Sequence, residues 1–233
     1  TLCSIKFALE RALRSGKKRI IYIIPFNSII DQTVGEFEGI FQEDAEILRH
    51  QSSFSYEDDD GDEPSSEDYR DAMKNATENW DCKLVVTTAV QFFESIYSDR
   101  KKKLRKLHNM ADSILIFDEA HLMPQNWLQP CLQAVSSLTK YFHSEAVFLT
   151  ATMPDFKKLV QKYALSSSQV TDLIEDTSAF HNFKKCHYVK MGEISQSQLL
   201  QAAQGQPSTL IIVNSKKMAK ELYQLCTGKK YHL

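Results

Sequence analysis

The residues of this chain best suited to chemistry are two adjacent carboxylates, Asp118 and Glu119, within SILIFDEAHLMP at positions 113–124. Four apolar residues, Ile114, Leu115, Ile116 and Phe117, run directly into them. Such a run is the pattern of a strand buried on both faces of a parallel sheet. Open α/β sheets bind ligands at the carboxyl ends of their strands. Asp118 can hold a magnesium ion on nucleotide phosphates there, while Glu119 positions or deprotonates the attacking water. An acidic, solvated turn is the alternative reading of an Asp-Glu pair by itself. What favours the nucleotide site is the full sequence DEAH together with Thr150-Ala151-Thr152 downstream. The hydroxyls of Thr150 and Thr152 can exchange hydrogen bonds with the acids and so report the state of the nucleotide.

Further polar residues stand where strands end. Thr1 directly precedes an amphipathic helix expected over residues 2–14, with Leu2, Ile5, Leu9 and Leu13 on one side and Ser15-Gly16 closing it. Phosphate-binding loops place a Lys and a Ser or Thr just before such a helix. Thr1 therefore reads as the last residue of a Gly-Lys-Thr sequence, with an ordinary helix N-cap as the alternative. Pro25, Phe26 and Asn27 leave a second apolar strand, residues 19–25, and open a helix over 28–41 carrying Ile29, Ile30, Thr33, Val34 and Phe37 on its apolar side. That exit can grip a nucleic-acid backbone through amides and the Asn27 side chain; taken alone it is a plain β–α turn. Thr87 and Thr88 end a third strand, residues 83–88, before a helix built on Ala89, Phe92, Phe93, Ile96 and Tyr97. Small donors there can bond phosphates without regard to base sequence.

The elements that must position these groups alternate strand and helix, the pattern of an α/β domain with a parallel sheet. A helix over 127–141, a strand over 146–149 and a short helix over 153–165 complete a first domain, 1–165. Residues 166–185 read as a linker. Residues 186–233 begin a second unit, with strands expected at 187–190 and 209–213 (TLIIV), a helix over 195–203, and a helix striped by Met218, Leu222 and Leu225.

Composition sets limits. The chain has 233 residues, 42% hydrophobic and 25% charged, with a net charge of −2, so bulk charge gives no nucleic-acid signal. Its five cysteines form no Cys-x-x-Cys pair, which argues against zinc or a disulfide framework and for the reducing cytoplasm. No apolar run approaches the ~20 residues needed to span a bilayer. Residues 55–68, SYEDDDGDEPSSED, lack aliphatics and read as a solvated acidic insertion. A calcium loop is excluded, because placing Gly61 at the required glycine puts Tyr56 at the first ligand position. RKKKLRK, residues 100–106, carries six positive charges in seven residues and is either a solvated face or a patch that tracks a phosphate backbone.

Taken together, YIIPFNSIIDQT (22–33), VVTTAVQFFESIYS (85–98), RKLHNMADSILIFDEAHLMP (105–124), VFLTATMP (147–154) and TLIIVNSKKMAKELY (209–223) resemble successive superfamily 2, DEAD/DEAH-box-like helicase motifs. The wording of 25–33 and 87–94, and the Leu-Met-Pro after DEAH, resembles more narrowly the helicase–nuclease of type I CRISPR interference. The resemblance implies a first RecA-like helicase lobe, a parallel sheet flanked by helices that lacks its P-loop strand, and the start of a second RecA-like lobe. It implies ATP and Mg2+ as cofactors, with Thr1 and Asp118 on the magnesium and Glu119 acting on the water. His121, Thr150 and Thr152 would link hydrolysis to strand movement. Pro25, Asn27, Thr87 and Thr88 would lie along single-stranded DNA, and Asn214 would begin the second lobe's contribution. The implied partner is an RNA-guided CRISPR surveillance complex. The phosphate-cradling Gly-Lys pair, the later motifs of the second lobe and the family's HD nuclease are missing, so this stretch by itself is expected to hydrolyse ATP weakly or not at all. A DEAH-type RNA helicase and a non-catalytic, helicase-like interaction module are the alternatives.

Overall fold

The computed structural model describes residues 2–41, 46–50, 75–150, 156–165, 170–174, 186–228 and 230–231. Thr1, Thr152, the acidic stretch 55–68 and most of the expected linker lie outside the described residues. Two compact units divide the chain, Thr1–Asp172 and Leu173–Leu233.

The first unit is built on a sheet of five parallel strands: β1 (Arg19–Ile24), β2 (Ile47–His50), β3 (Leu84–Thr88), β4 (Ser113–Phe117) and β5 (Glu145–Phe148), in the order β2-β3-β1-β4-β5. Helices cover both faces. Because side chains alternate along a strand, Ile20, Tyr22 and Ile24 of β1 join Ile114 and Ile116 of β4 on one face, under α1 (Leu2–Ser15) and α2 (Ile30–Phe41). Ile21, Ile23, Leu115 and Phe117 face the other way, packing with α3 (Ala89–Tyr97), α6 (Leu128–Tyr141) and α7 (Phe156–Tyr163). Two single-turn helices, α4 (Lys101–Leu104) and α5 (Leu107–Met110), lead into β4. This is the RecA-like α/β arrangement that the resemblance implies.

The topology fixes where a ligand belongs. From β1 the chain turns through α2 to the β2–β3 side, whereas from β4 it turns through α6 to β5. In open α/β sheets a ligand is expected beyond the carboxyl ends of the strands where the connections turn opposite ways, here between β1 and β4. Asp118 sits there.

Several expectations are corrected in detail. In α1 the buried residues are Ile5 and Ala8, whereas Leu9 and Leu13 are exposed; alanine lets the helix lie close on the sheet. Ile29 belongs to a 3-10 turn, residues 27–29, and is exposed. β2 was not anticipated at all. In the second unit the described residues form two helices, α8 (Gln196–Gln204) and α9 (Lys216–Leu225), and no strand. Residues 187–190 and 209–213 are not paired into a ladder, and Tyr188, Leu210 and Ile212 are exposed at 91%, 75% and 84%. A strand needs a neighbour for its backbone N–H and C=O groups, and none is present among the described residues of this unit.

Candidate active site

Past Phe117 the sheet ladder continues for one more rung, with Asp118 N–H donating to Ile23 C=O at 2.8 Å. Asp118 therefore leaves the sheet on the same face as Ile116, the face that also carries Tyr22 of β1, whose register partner is Ile116. Tyr22 Oη donates to Asp118 Oδ2 at 3.0 Å, and Ser4 Oγ lies 3.0 Å from Tyr22 Oη. Ser4 belongs to the first turn of α1, so the carboxylate is linked to the start of the helix that follows Thr1. Glu119 N–H donates to Asp118 Oδ1 at 3.0 Å. Burial raises the Tyr22 pKa, opposed by the Ser4 hydrogen bond and assisted by the Asp118 charge, so the hydroxyl keeps its proton and remains a donor.

The next residue turns sharply. Glu119 is left-handed, at φ 47° and ψ 47°, a conformation that costs a non-glycine residue on the order of 1 kcal/mol. The turn is clamped by Ala120 N–H to Leu149 C=O at 2.8 Å and Leu149 N–H to Phe117 C=O at 2.9 Å. It folds the DEAH turn onto the exit of β5, just ahead of Thr150. His121 Nδ1 lies 2.9 Å from Thr150 Oγ1 and 3.3 Å from Glu119 Oε2. His121 thus joins the second acid of DEAH to the first threonine of Thr-Ala-Thr.

Glu119 Oε2 is shielded from solvent and makes no hydrogen bond, although His121 is near. Two carboxylates consecutive in sequence, one with an unbonded oxygen, suit a hard cation that keeps water in its shell. Magnesium is typically held through one or two carboxylates plus phosphates and keeps several waters. Among the described residues no cluster of three or more His, Cys, Asp and Glu that could hold a metal ion is present. The residues present fit a magnesium ion delivered with a triphosphate.

The expected nucleic-acid residues separate into groups. Pro25 is half-buried and Asn27 exposed at the exit of β1. Thr87 and Thr88 are buried, at 0% and 4% exposure. The Thr87 hydroxyl donates to His50 C=O at 3.0 Å, and Thr88 caps α3 by accepting from Gln91 N–H at 3.2 Å. These hydroxyls are committed to the protein's own backbone. Asn214 is exposed in the second unit, ahead of α9.

Three of the six basic residues in the run are absorbed by the fold. Lys103 pairs with Glu94 and Arg105 with Glu78. Lys106 is buried, at 5% exposure, with Nζ 3.4 Å from His50 Nε2 and 5.5 Å from the centre of the Trp80 ring. Trp80 Nε1 donates to His50 Nδ1 at 3.2 Å, so the proton of a neutral His50 must reside on Nε2, facing the amine. Two donors cannot bond each other, so the contact disfavours a charged Lys106. Burial, then the Lys106 and Lys103 charges, push His50 down to about 3, while burial and Lys103, opposed by Glu78 and Glu94, push Lys106 down to about 8. A lysine depressed in the folded state destabilises the fold below its folded pKa, and the penalty fades as pH rises toward the ordinary value of 10.5. Lys106→Met is expected to stabilise the unit by on the order of 1–2 kcal/mol at pH 7. That gain should shrink between pH 8 and 10.5 in paired urea titrations.

Sequence reasoning missed Tyr22 and Ser4. The available signal was a single tyrosine among the isoleucines of RIIYII, since a buried hydroxyl needs a partner.

Comparison with known proteins places the chain among helicases. The sequence model of the DEAD/DEAH box helicase family matches residues 1–160. The CRISPR-associated nuclease/helicase Cas3 of Haloferax volcanii is 26% identical over 155 residues, covering 63% of this chain and 16% of that protein. Among solved structures, T. fusca Cas3 with ATP superposes with a TM-score of 0.50 at 17% identity, over 65% of this chain and 17% of that one. The DUF1998 helicase MrfA bound to DNA and AMPPNP superposes at 0.44 and 14% identity, over 67% of this chain and 20% of the other. The chain thus spans about a sixth of the curated relative's length.

Proposed function

Since the chain belongs to the DEAD/DEAH box helicases, we propose that it is part of an ATP-dependent DNA helicase or translocase of CRISPR interference, working in the cytoplasm on single-stranded DNA opened by an RNA-guided surveillance complex. The observation that carries this reading is the edge between β1 and β4, where Asp118 is tied to α1 and Glu119, His121 and Thr150 adjoin one another. The Cas3 relationship supports the CRISPR role.

In this reading Asp118 and Thr1 hold Mg2+, which would neutralise charge on the β- and γ-phosphates. Glu119, with one oxygen left unbonded, orients the attacking water and takes its proton. His121, touching both Glu119 and Thr150, transmits the change at the acids to Thr150, and Thr152 would act with it. Pro25, Asn27 and the amides following Thr87 and Thr88 hold the DNA backbone on the first lobe, with Asn214 contributing from the second. The P-loop strand would pair with β5, which is an edge strand and only half-buried despite the apolar Ala146, Val147 and Phe148. Residues 186–233 would begin the second lobe, and the HD nuclease and the later motifs would be supplied elsewhere in the full-length protein. Among the described residues no helix is long and apolar enough to cross a membrane.

The test is ATP turnover of the full-length protein with single-stranded DNA and with RNA of the same sequence. Stimulation by DNA is expected. Preference for RNA would instead indicate an RNA helicase and overturn the CRISPR assignment.

A further inference from the structure

The carboxylate of Asp118 is reached by a side chain from the middle of the sheet. We propose that Tyr22 is a positioning residue of the nucleotide site: its hydroxyl, seated between Ser4 and Asp118, fixes the Asp118 carboxylate in the orientation that receives the metal and triphosphate. This rests on Asp118 being the metal-holding acid.

Tyr22 is fully buried in the central strand β1, and its ring is set edge-on to Phe37 of α2 at 5.3 Å between centroids. A ring held this way gives its hydroxyl one place to be. A tyrosine hydroxyl has a single hydrogen. Directed at Asp118 Oδ2, it leaves the tyrosine oxygen as acceptor toward Ser4, so the chain of bonds runs from Ser4 through Tyr22 to Asp118, each strengthening the next. The other carboxylate oxygen, Oδ1, is held by Glu119 N–H. Both oxygens therefore have a directional donor, and each keeps lone-pair capacity for a cation. Phenylalanine would fill the same space in the core but donate nothing. Burying a hydroxyl in an aliphatic strand is unfavourable unless it is bonded, and here its bond goes to the acid at the candidate site.

The same relay joins two parts that nucleotide binding must address together. Ser4 lies in the first turn of the helix after Thr1, and Asp118 ends β4. A carboxylate anchored to that helix is pre-set for a metal carried on phosphates bound at the helix start.

The experiment uses the full-length protein with Tyr22→Phe, Ser4→Ala and Asp118→Asn. Mn2+ binding is measured by electron paramagnetic resonance with a non-hydrolysable ATP analogue, alongside the Mg2+ dependence of turnover at saturating ATP and the thermal midpoint. Tyr22→Phe is expected to weaken Mn2+ binding roughly tenfold, in line with other residues that orient metal ligands, and to raise the half-saturating Mg2+ similarly. Its melting temperature should stay close to that of the parent, and Ser4→Ala should shift metal binding in the same direction by less. If Asp118→Asn abolishes metal binding while Tyr22→Phe binds Mn2+ like the parent, the positioning role is overturned and the reading of Asp118 stands. If Asp118→Asn itself binds Mn2+ normally, that reading falls and the proposal with it. Loss in Tyr22→Phe that merely follows a lost folded fraction by circular dichroism would make the hydroxyl structural, and would overturn the proposal too.

Discussion

Glu119→Gln is expected to lower nucleic-acid-stimulated ATP turnover of the full-length protein by roughly 10²- to 10⁴-fold, the range for removing a general base. Binding of the nucleotide itself should change little. The substitution is nearly isosteric, so the left-handed turn at φ 47° and the clamps from Ala120 and Leu149 are retained. What is lost is the ability to accept a proton. The oxygen removed from service is shielded from solvent and makes no hydrogen bond, with His121 Nδ1 3.3 Å away, as suits a group held ready for a water. Steady-state turnover with and without single-stranded DNA, paired with binding of a fluorescent ATP analogue, separates the two effects. Unchanged turnover would favour a helicase-like interaction module whose acids have no catalytic part.

Phe117→Ala should be among the most damaging changes to the first unit that leave every polar group in place. Phe117 is 2% exposed and packs against three rings, with centroids at 5.4 Å to Phe92, 6.0 Å to Phe93 and 5.2 Å to Phe148. Truncating such a side chain costs about 3–5 kcal/mol through lost burial and the cavity left behind. For a unit of this size the thermal midpoint should fall by about 10 °C or more. Because Phe117 is the residue before Asp118 and joins β4 to β5, the site should loosen along with the core. Calorimetry or thermal circular dichroism of Phe117→Ala beside Phe117→Leu measures this. The leucine variant, which keeps most of the volume, should lose much less, whereas equal midpoints for both would show that the aromatic cluster does not hold this edge.

How far the fold could be read in advance depended on whether an element carries its reason for existing in its own residues. β1, β3 and β4 do: each is built around an apolar run buried on both faces. β2 does not, because Ile47, Leu48, Arg49 and His50 owe their strand to pairing with β3. The opposite failure occurs at residues 209–213. Their composition suits a buried strand, but composition supplies no neighbour, and Leu210 and Ile212 remain exposed. In α1 the leucines suggested the wrong face, since contact with a sheet selected the small Ala8 over the larger Leu9.

The candidate site divides in the same way. Asp118, Glu119, His121 and Thr150 were legible because their motifs flank strand ends, and the structure brings them together through the β4–β5 pairing. Thr87 and Thr88 were recognisable as hydroxyls at a strand exit, but not as groups whose bonds go to His50 and to the α3 cap. Tyr22 and Ser4 could not be assigned locally. Their part depends on Tyr22 lying opposite Ile116, which puts the phenol on the same face as Asp118. Sheet register is a long-range property. The basic run illustrates the same limit, because its charge was evident while the burial of Lys106 against His50 and Trp80 was not.

The central claim is that the edge between β1 and β4 holds a metal–triphosphate. Its most direct test is a crystal structure of the full-length protein with Mg2+ and a non-hydrolysable ATP analogue. The expected result is a triphosphate at the start of α1, with the metal bound to an Asp118 oxygen directly, at about 2.1 Å, or through one water, and a water beside Glu119. A nucleotide seated elsewhere, with Asp118 and Glu119 contacting neither metal nor phosphate, would contradict it.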